Sequence, residues 1–251
     1  MVGVTAPAMV QVTTHEAVRA IVLADPATGN ALGEAMVEAL IAALDAAGRS
    51  AEVHVIVLTA VGETFSSGAP AELLVSLADG DLRPSDIRLA RALLDCPLPV
   101  IAAMAGPAVG GGFALGLAAD IVLLARESRY GFSFMNMGFT PGMGTTAMCE
   151  HVLSPAVAHE LMYSGEMRRG AAFAGSGINY ILPRVDVEAR AFDVAARIAD
   201  KPRAALELLK RTLSLPRRRA FESALTLETL MHQVTLAAPG VAARIRATYV
   251  E

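Results

Sequence analysis

The chain has 251 residues, a formal net charge of −4, 54% hydrophobic residues and 18% charged ones, enough apolar side chain to fill the core of one large domain or two small ones. That balance excludes general disorder, and an acidic chain without an excess of cations gives no reason to expect nucleic acid or an anionic membrane surface as partner. Cys96 and Cys149 make neither a metal-ligand spacing nor a disulfide framework, so a reducing cytoplasm is expected and each cysteine reads as a small buried hydrophobe.

The first residues, MVGVTAPAMVQVTTHE, lack the basic start and apolar run of a signal peptide and read as leading straight into a strand. VRAIVL (Val18 to Leu23) reads as a strand, DPATGN (Asp25 to Asn30) as a turn, and EAMVEALIAALDAAG as a helix with apolar residues at helical spacing. VHVIVLTA (Val53 to Ala60), PVIAAM (Pro99 to Met104) and DIVLLA (Asp120 to Ala125) are unbroken apolar runs, which predicts strands buried on both faces of an α/β core. From Val187 onward the pattern turns helical: EARAFDVAARIAD, PRAALELLKRTL, RAFESALTLETLMHQVTLA and GVAARIRATYV all read as helices of an appendage whose apolar faces need a surface to cover, either the same core or a neighbouring subunit.

The segment Pro97 to Ala119 carries no charge and is about long enough to cross a bilayer. Its three prolines and five glycines, with Asp120 directly after, point instead to a strand, a turn and a short buried helix. Within it lies GPAVGGGFALG, Gly106 to Gly116. These glycines miss the GxGxxG dinucleotide fingerprint by one residue and no GK[ST] follows. The other use of such backbone is an oxyanion hole, in which two preorganised N–H groups meet charge growing on a carbonyl oxygen. FSSGAP (Phe65 to Pro70), also after a buried strand and hinged on glycine, is the candidate for the second donor. TFSSG lacks the first glycine of a GxSxG nucleophile elbow, which excludes a serine hydrolase reading.

Over nearly its whole length the chain resembles the crotonase (enoyl-CoA hydratase/isomerase) superfamily. NALGEAMVEAL (Asn30 to Leu40), VIVLTAVGETFSSGAP (Val55 to Pro70), CPLPVIAAMAGPAVGGGFALGLAADIVLLA (Cys96 to Ala125) and YGFSFMNMGFTPGMGTT (Tyr130 to Thr146) carry the resemblance. It implies an α/β fold with a crotonase-like ββα spiral core over residues 1–185 and a C-terminal helical trimerisation region over 186–251. It also implies that the backbone N–H groups of Ala69 and Gly111 form the oxyanion hole, with Ser67, Gly68 and Gly110 beside the bound thioester.

Hydratases of this family typically carry two glutamates, and alignment on the glycine motifs puts Ala114 and Phe134 in their places. Neither can move a proton, so water addition by the usual mechanism is not expected. An apolar cavity with an oxyanion hole suits decarboxylation, where Phe134 would disfavour the departing carboxylate. FMNMGFTPGMGTT, SRYGFS, MRRGAAF and LETLMHQVT look like the decarboxylating enzymes of polyketide β-branching cassettes. The resemblance implies conversion of a 3-methylglutaconyl group on an acyl carrier protein to 3-methylcrotonyl, with no metal and no organic cofactor beyond the carrier's phosphopantetheine. His232 matches the histidine of that subfamily and would hold the substrate carboxylate or steer protonation of the dienolate. Those relatives also carry a lysine after the FxxGA motif, whereas the only lysines here are Lys201 and Lys210; Arg83, Arg88 or Arg91 is the expected carboxylate clamp.

A carrier protein presents an acidic face, so Lys210, Arg211, Arg217 and Arg218, placed by the pattern between two C-terminal helices, are the expected docking cations, with Arg168 and Arg169 next. The resemblance implies a homotrimer or a hexamer made of two trimers, in the cytoplasm, with no nucleic-acid or membrane partner. Two other functions stay open: a double-bond isomerase of enoyl thioesters, and a non-catalytic scaffold or RNA-binding relative.

Overall fold

A computed structural model describes residues 8–80 and 89–249. Its main sheet has six strands in the spatial order β1 (Val10–His15), β2 (Val18–Leu23), β3 (Val55–Ala60), β4 (Val100–Met104), β6 (Ile121–Ala125) and β9 (Tyr180–Leu182). β1 and β2 form an antiparallel pair at one edge, and every later pairing is parallel. Successive side chains of a strand point to opposite faces, and in β3 both faces are covered. Ile56 and Leu58 enter the larger core with Met36 and Leu40 of α1 (Glu34–Arg49), while Val55 and Val57 pack with Val187, Ala191 and Ala195 of α8 (Arg184–Ala199). That is why the strand sequences run apolar without alternation.

The uncharged stretch after Pro97 folds as β4, a turn, the two-residue β5 (Ala108–Val109) and α4 (Gly111–Leu117), all of whose residues are buried. Among the described residues no helix is long and apolar enough to cross a membrane. β5 joins a small second sheet with β7 (Arg129–Gly131) and β8 (Met167–Arg169). Tyr130 links the two sheets: its hydroxyl donates to the Met104 carbonyl at 2.6 Å and accepts from the Ala125 N–H at 2.9 Å. Cys96 and Cys149 are buried and unpaired, as their sequence context predicts, and burial pushes the Cys149 thiol up to about 12.

α8 covers the sheet's own core, one of the two surfaces left open to it by the sequence. The C-terminal helices depart from expectation at Pro216. The predicted helices on either side of Pro216 are one, α9 (Arg203–Thr235), 33 residues long. Proline removes a helix N–H and strands the carbonyl four residues back, but Thr212 and Pro216 lie on the exposed side, where water can serve that carbonyl. On the opposite side Lys210, Ser214, Arg217 and Phe221 are buried at helical spacing, and the helix continues across the proline. The last helix, α10 (Val241–Thr248), sends Val241 and Ile245 into the larger core.

Candidate active site

The segment after β3 and the segment after β4 are stitched side by side. Phe65 N–H donates to the Pro107 carbonyl at 2.9 Å, Val109 N–H to the Ser66 carbonyl at 3.0 Å, and Ser66 pairs with Ala108 as a parallel bridge. Asn30, fully buried, fixes the first loop: its Nδ2 donates to the Val61 and Thr64 carbonyls at 3.0 and 2.8 Å, and its own carbonyl accepts the Ser66 hydroxyl at 2.8 Å. Sequence reasoning left Asn30 as an ordinary turn residue. Its position directly after a glycine in DPATGN, where an asparagine suits a left-handed conformation, was the available signal.

The two expected oxyanion donors are aimed by their own peptide planes. In a trans peptide the N–H points opposite to the preceding carbonyl. The Gly68 carbonyl is held at 2.7 Å by the Leu32 N–H, so the Ala69 N–H faces the other way; the Gly110 carbonyl accepts the Ala114 N–H at 3.0 Å, so the Gly111 N–H leaves the first turn of α4 outward. Among the described residues neither N–H donates to a protein group. Gly110, at φ +53 and ψ −118, and Gly68, at φ +87, adopt backbone that a side chain would oppose. A Cβ on Gly68 would lie 2.6 Å from the Val109 carbonyl oxygen and 3.5 Å from the Gly111 nitrogen. The glycines thus let the two segments approach closely at one point.

That point opens into a cavity of about 50 Å³ lined by Ser67, Gly68, Ala69, Gly110, Gly111, Phe134 and His232, together with Met137, Phe139, Met143 and Tyr249. The structure therefore gathers in one place seven of the residues singled out from sequence. No Asp, Glu, Lys or Arg lines the cavity among the described residues. Ala114 is buried inside α4, and Phe134, at the start of α5 (Phe134–Met137), stacks on Phe132 at 5.8 Å. Ser67 lines the cavity while shaping its own turn, its hydroxyl donating to the Thr28 carbonyl at 3.0 Å and its N–H to the Gly29 carbonyl. Arg83 and Arg88 lie outside the described residues. Arg91 is paired with Glu222 at 2.6 Å, away from the cavity.

His232 sits on α9 at 5% exposure, edge-on to Phe139 and against Gly142. Its Nε2 lies 2.7 Å from the Thr140 carbonyl, which can only accept, so Nε2 carries the proton. Nδ1 then presents a lone pair, buried and without a partner among the described residues. Burial lowers the pKa of His232 below its ordinary 6.5, against the raising effect of the Thr140 and Pro141 carbonyls. A group held neutral in this way contributes stability that is present above pH 6.5 and is lost as pH falls through its folded pKa. His151, lowered by burial and by Arg217, acts in the same direction. The loss in denaturation midpoint between about pH 7.5 and about pH 5.5 is therefore expected to be smaller in His232→Phe than in the wild type. An equal loss would contradict the neutral buried imidazole.

Two residues that sequence reasoning missed complete the site. Tyr249 donates its hydroxyl to the Ala69 carbonyl at 2.6 Å, and burial raises its phenol pKa. Glu228, one helical turn before His232, accepts from the Gly144 N–H at 2.6 Å, the Thr146 N–H at 2.9 Å and the Thr146 hydroxyl at 2.7 Å. Burial pushes its carboxyl up while these hydrogen bonds pull it down. A single acid on a face otherwise marked by Phe221, Ala224 and His232 was the sequence signal for Glu228.

The expected carrier cations are corrected by the structure. Lys210 and Arg217, at 4% and 8% exposure, both pair with Asp120 at 2.5 Å, and Arg217 also donates to the Ala119 carbonyl at 2.8 Å. Arg218 is half-buried and tied to the Leu94 carbonyl and Asp95. Arg211 is exposed, but the rise of one helix separates it from His232 by roughly 30 Å along the chain. Arg168 is held by Glu160 and Glu166.

The family model described as enoyl-CoA hydratase/isomerase matches residues 13–250. The bacillaene synthase decarboxylase PksI of Bacillus subtilis (strain 168) is 39% identical over 195 residues, covering 77% of this chain and 78% of that protein. The ECH2 decarboxylase domain of CurF from Lyngbya majuscula superposes with a TM-score of 0.90 at 36% identity, covering 96% of this chain and 99% of that one. A structure from a dehydratase/decarboxylase enzyme couple involved in polyketide β-branching superposes with a TM-score of 0.93 at 34% identity, covering 97% and 100%.

Proposed function

The chain belongs to the enoyl-CoA hydratase/isomerase family, and from that premise we propose that it is a decarboxylase of polyketide β-branching, acting on a 3-methylglutaconyl-type thioester of an acyl carrier protein. The observation that carries this reading is the pairing of two unengaged N–H donors, Ala69 and Gly111, with a wall that has Phe134 where a hydratase has a glutamate. The decarboxylase relatives support it.

In the reaction the bond between the carboxyl carbon and its neighbouring methylene breaks and carbon dioxide leaves. The electron pair runs through the alkene to the thioester oxygen, where the Ala69 and Gly111 N–H groups meet the developing charge in a dry site. A proton then returns to carbon. Neutral His232 has nothing to donate toward a carboxylate, because its one N–H is given to Thr140. Uptake of one proton makes Nδ1 a donor while Nε2 keeps Thr140, so the imidazolium is the form that holds the substrate carboxylate. No metal or organic cofactor beyond the carrier's phosphopantetheine is required by this scheme.

The exposed Leu209, Leu213, Leu227, Leu230 and Val234 of α9 suit a homotrimer in which neighbouring chains cover them. The two buried thiols fit the reducing cytoplasm expected from sequence. One experiment separates this function from hydration: 3-methylcrotonyl on the carrier, incubated with the protein in heavy-oxygen water, is expected to gain no oxygen. Incorporation of one heavy oxygen would make the protein a hydratase and overturn the proposal.

A further inference from the structure

The turn between α5 and α6 (Thr145–Val152) reads Gly142-Met143-Gly144, and its middle residue holds a backbone conformation that suits glycine: Met143 has φ +64. Long side chains seldom adopt this region, so something outside the turn imposes it. Both flanking glycines are packed too tightly for a side chain, Gly142 against the His232 ring and Gly144 against the Phe221 ring. Only Met143 has room, and the room is over the oxyanion hole. Its Sδ would lie 3.2 Å from a Cβ on Gly111, and that same point is 4.0 Å from the Ala69 nitrogen.

The turn is fastened at both ends to one face of α9. His232 takes the Thr140 carbonyl and Glu228 takes the Gly144 and Thr146 N–H groups, while Thr235 lies 3.2 Å from the Thr140 hydroxyl. Glu228 is 1% exposed and meets three donors. A carboxylate can only accept and so satisfies all three, whereas a glutamine would aim an N–H₂ group at one of them. The thioether thus lines the same cavity as the two donors and Phe134.

We infer that Met143 is the specificity-determining residue that limits the size of the acyl branch at the reacting alkene, and that Glu228 is the positioning residue that keeps it there. The inference rests on the decarboxylase reading. A flexible thioether can yield to a small branch and crowds a longer one.

The test uses carriers bearing the methyl-branched substrate and its ethyl- and propyl-branched analogues, with carbon dioxide release followed for the wild type, Met143→Gly and Glu228→Gln. The wild type should favour methyl over propyl, and Met143→Gly should narrow that ratio by about tenfold or more, the scale on which pockets discriminate single methylenes. Its melting temperature should fall less than loss of a core methionine usually costs, because φ +64 suits glycine. Glu228→Gln should narrow the ratio in the same direction, provided circular dichroism shows it folded. A wild-type ratio preserved in folded Met143→Gly would overturn the inference while leaving the decarboxylase intact. A wild type inert on all three carriers would overturn both.

Discussion

Gly111→Pro is expected to lower turnover by about a hundredfold or more, the usual effect of deleting one oxyanion donor, while Gly111→Ala loses much less. Gly111 is the first residue of α4, the helical position that tolerates proline best, because its N–H has no partner within the helix. Proline therefore removes the donor with limited harm to α4. Alanine keeps the donor, and its Cβ would meet the Met143 sulfur at 3.2 Å, the far end of a flexible side chain. The contrast separates loss of the N–H from the Cβ that both variants add, the proline ring also filling the place of the lost hydrogen. Equal losses in the two variants would mean that space, not the hydrogen bond, governs the position, and the charge-stabilising role assigned to it would fall.

Asp120→Ala should produce the largest loss of stability of any single change considered. This one carboxylate meets Lys210 and Arg217 at 2.5 Å each and accepts the Val100 N–H at 2.8 Å. It thereby ties α9 to the starts of β4 and β6. Burial lowers the Lys210 pKa, and the Asp120 charge is the main influence opposing that. Removing one partner of a buried ion pair typically costs about 3–5 kcal/mol, because the remaining charge has neither water nor counter-ion. For a chain of this size that is a fall of roughly 6 to 20 °C in melting temperature. Lys210→Met should lose less than half as much, since Arg217 and Asp120 still compensate each other and the methionine fills the same space. A loss below about 1 kcal/mol in Asp120→Ala would show that water serves these cations and that they are closer to the surface charges expected from sequence.

The elements whose character depends on neighbours in sequence were legible. β4 is apolar at every position and β3 at all but Thr59 because both faces are covered, and the glycines around Gly68 and Gly110 mark backbone that only glycine adopts readily. Together with the resemblance carried by the motifs around them, these put Ala69, Gly111, Phe134 and His232 at one expected site, and all four line one cavity. What was not legible depends on partners far along the chain. Lys210 and Arg217 look like solvated cations until Asp120, some ninety residues earlier, is seen between them. Pro216 reads as a helix break because sequence does not show that the stranded carbonyl faces water. Glu228 and Met143 acquire meaning only together: the positive φ of Met143 is imposed by a turn that Glu228 and His232 hold from a separate helix.

The central claim is tested most directly by incubating the purified protein with 3-methylglutaconyl-loaded carrier, without added metal, and weighing the intact carrier. The account predicts loss of one carbon dioxide from the acyl group, leaving a 3-methylcrotonyl-type thioester. An unchanged mass, with loading verified on the same sample, would contradict it.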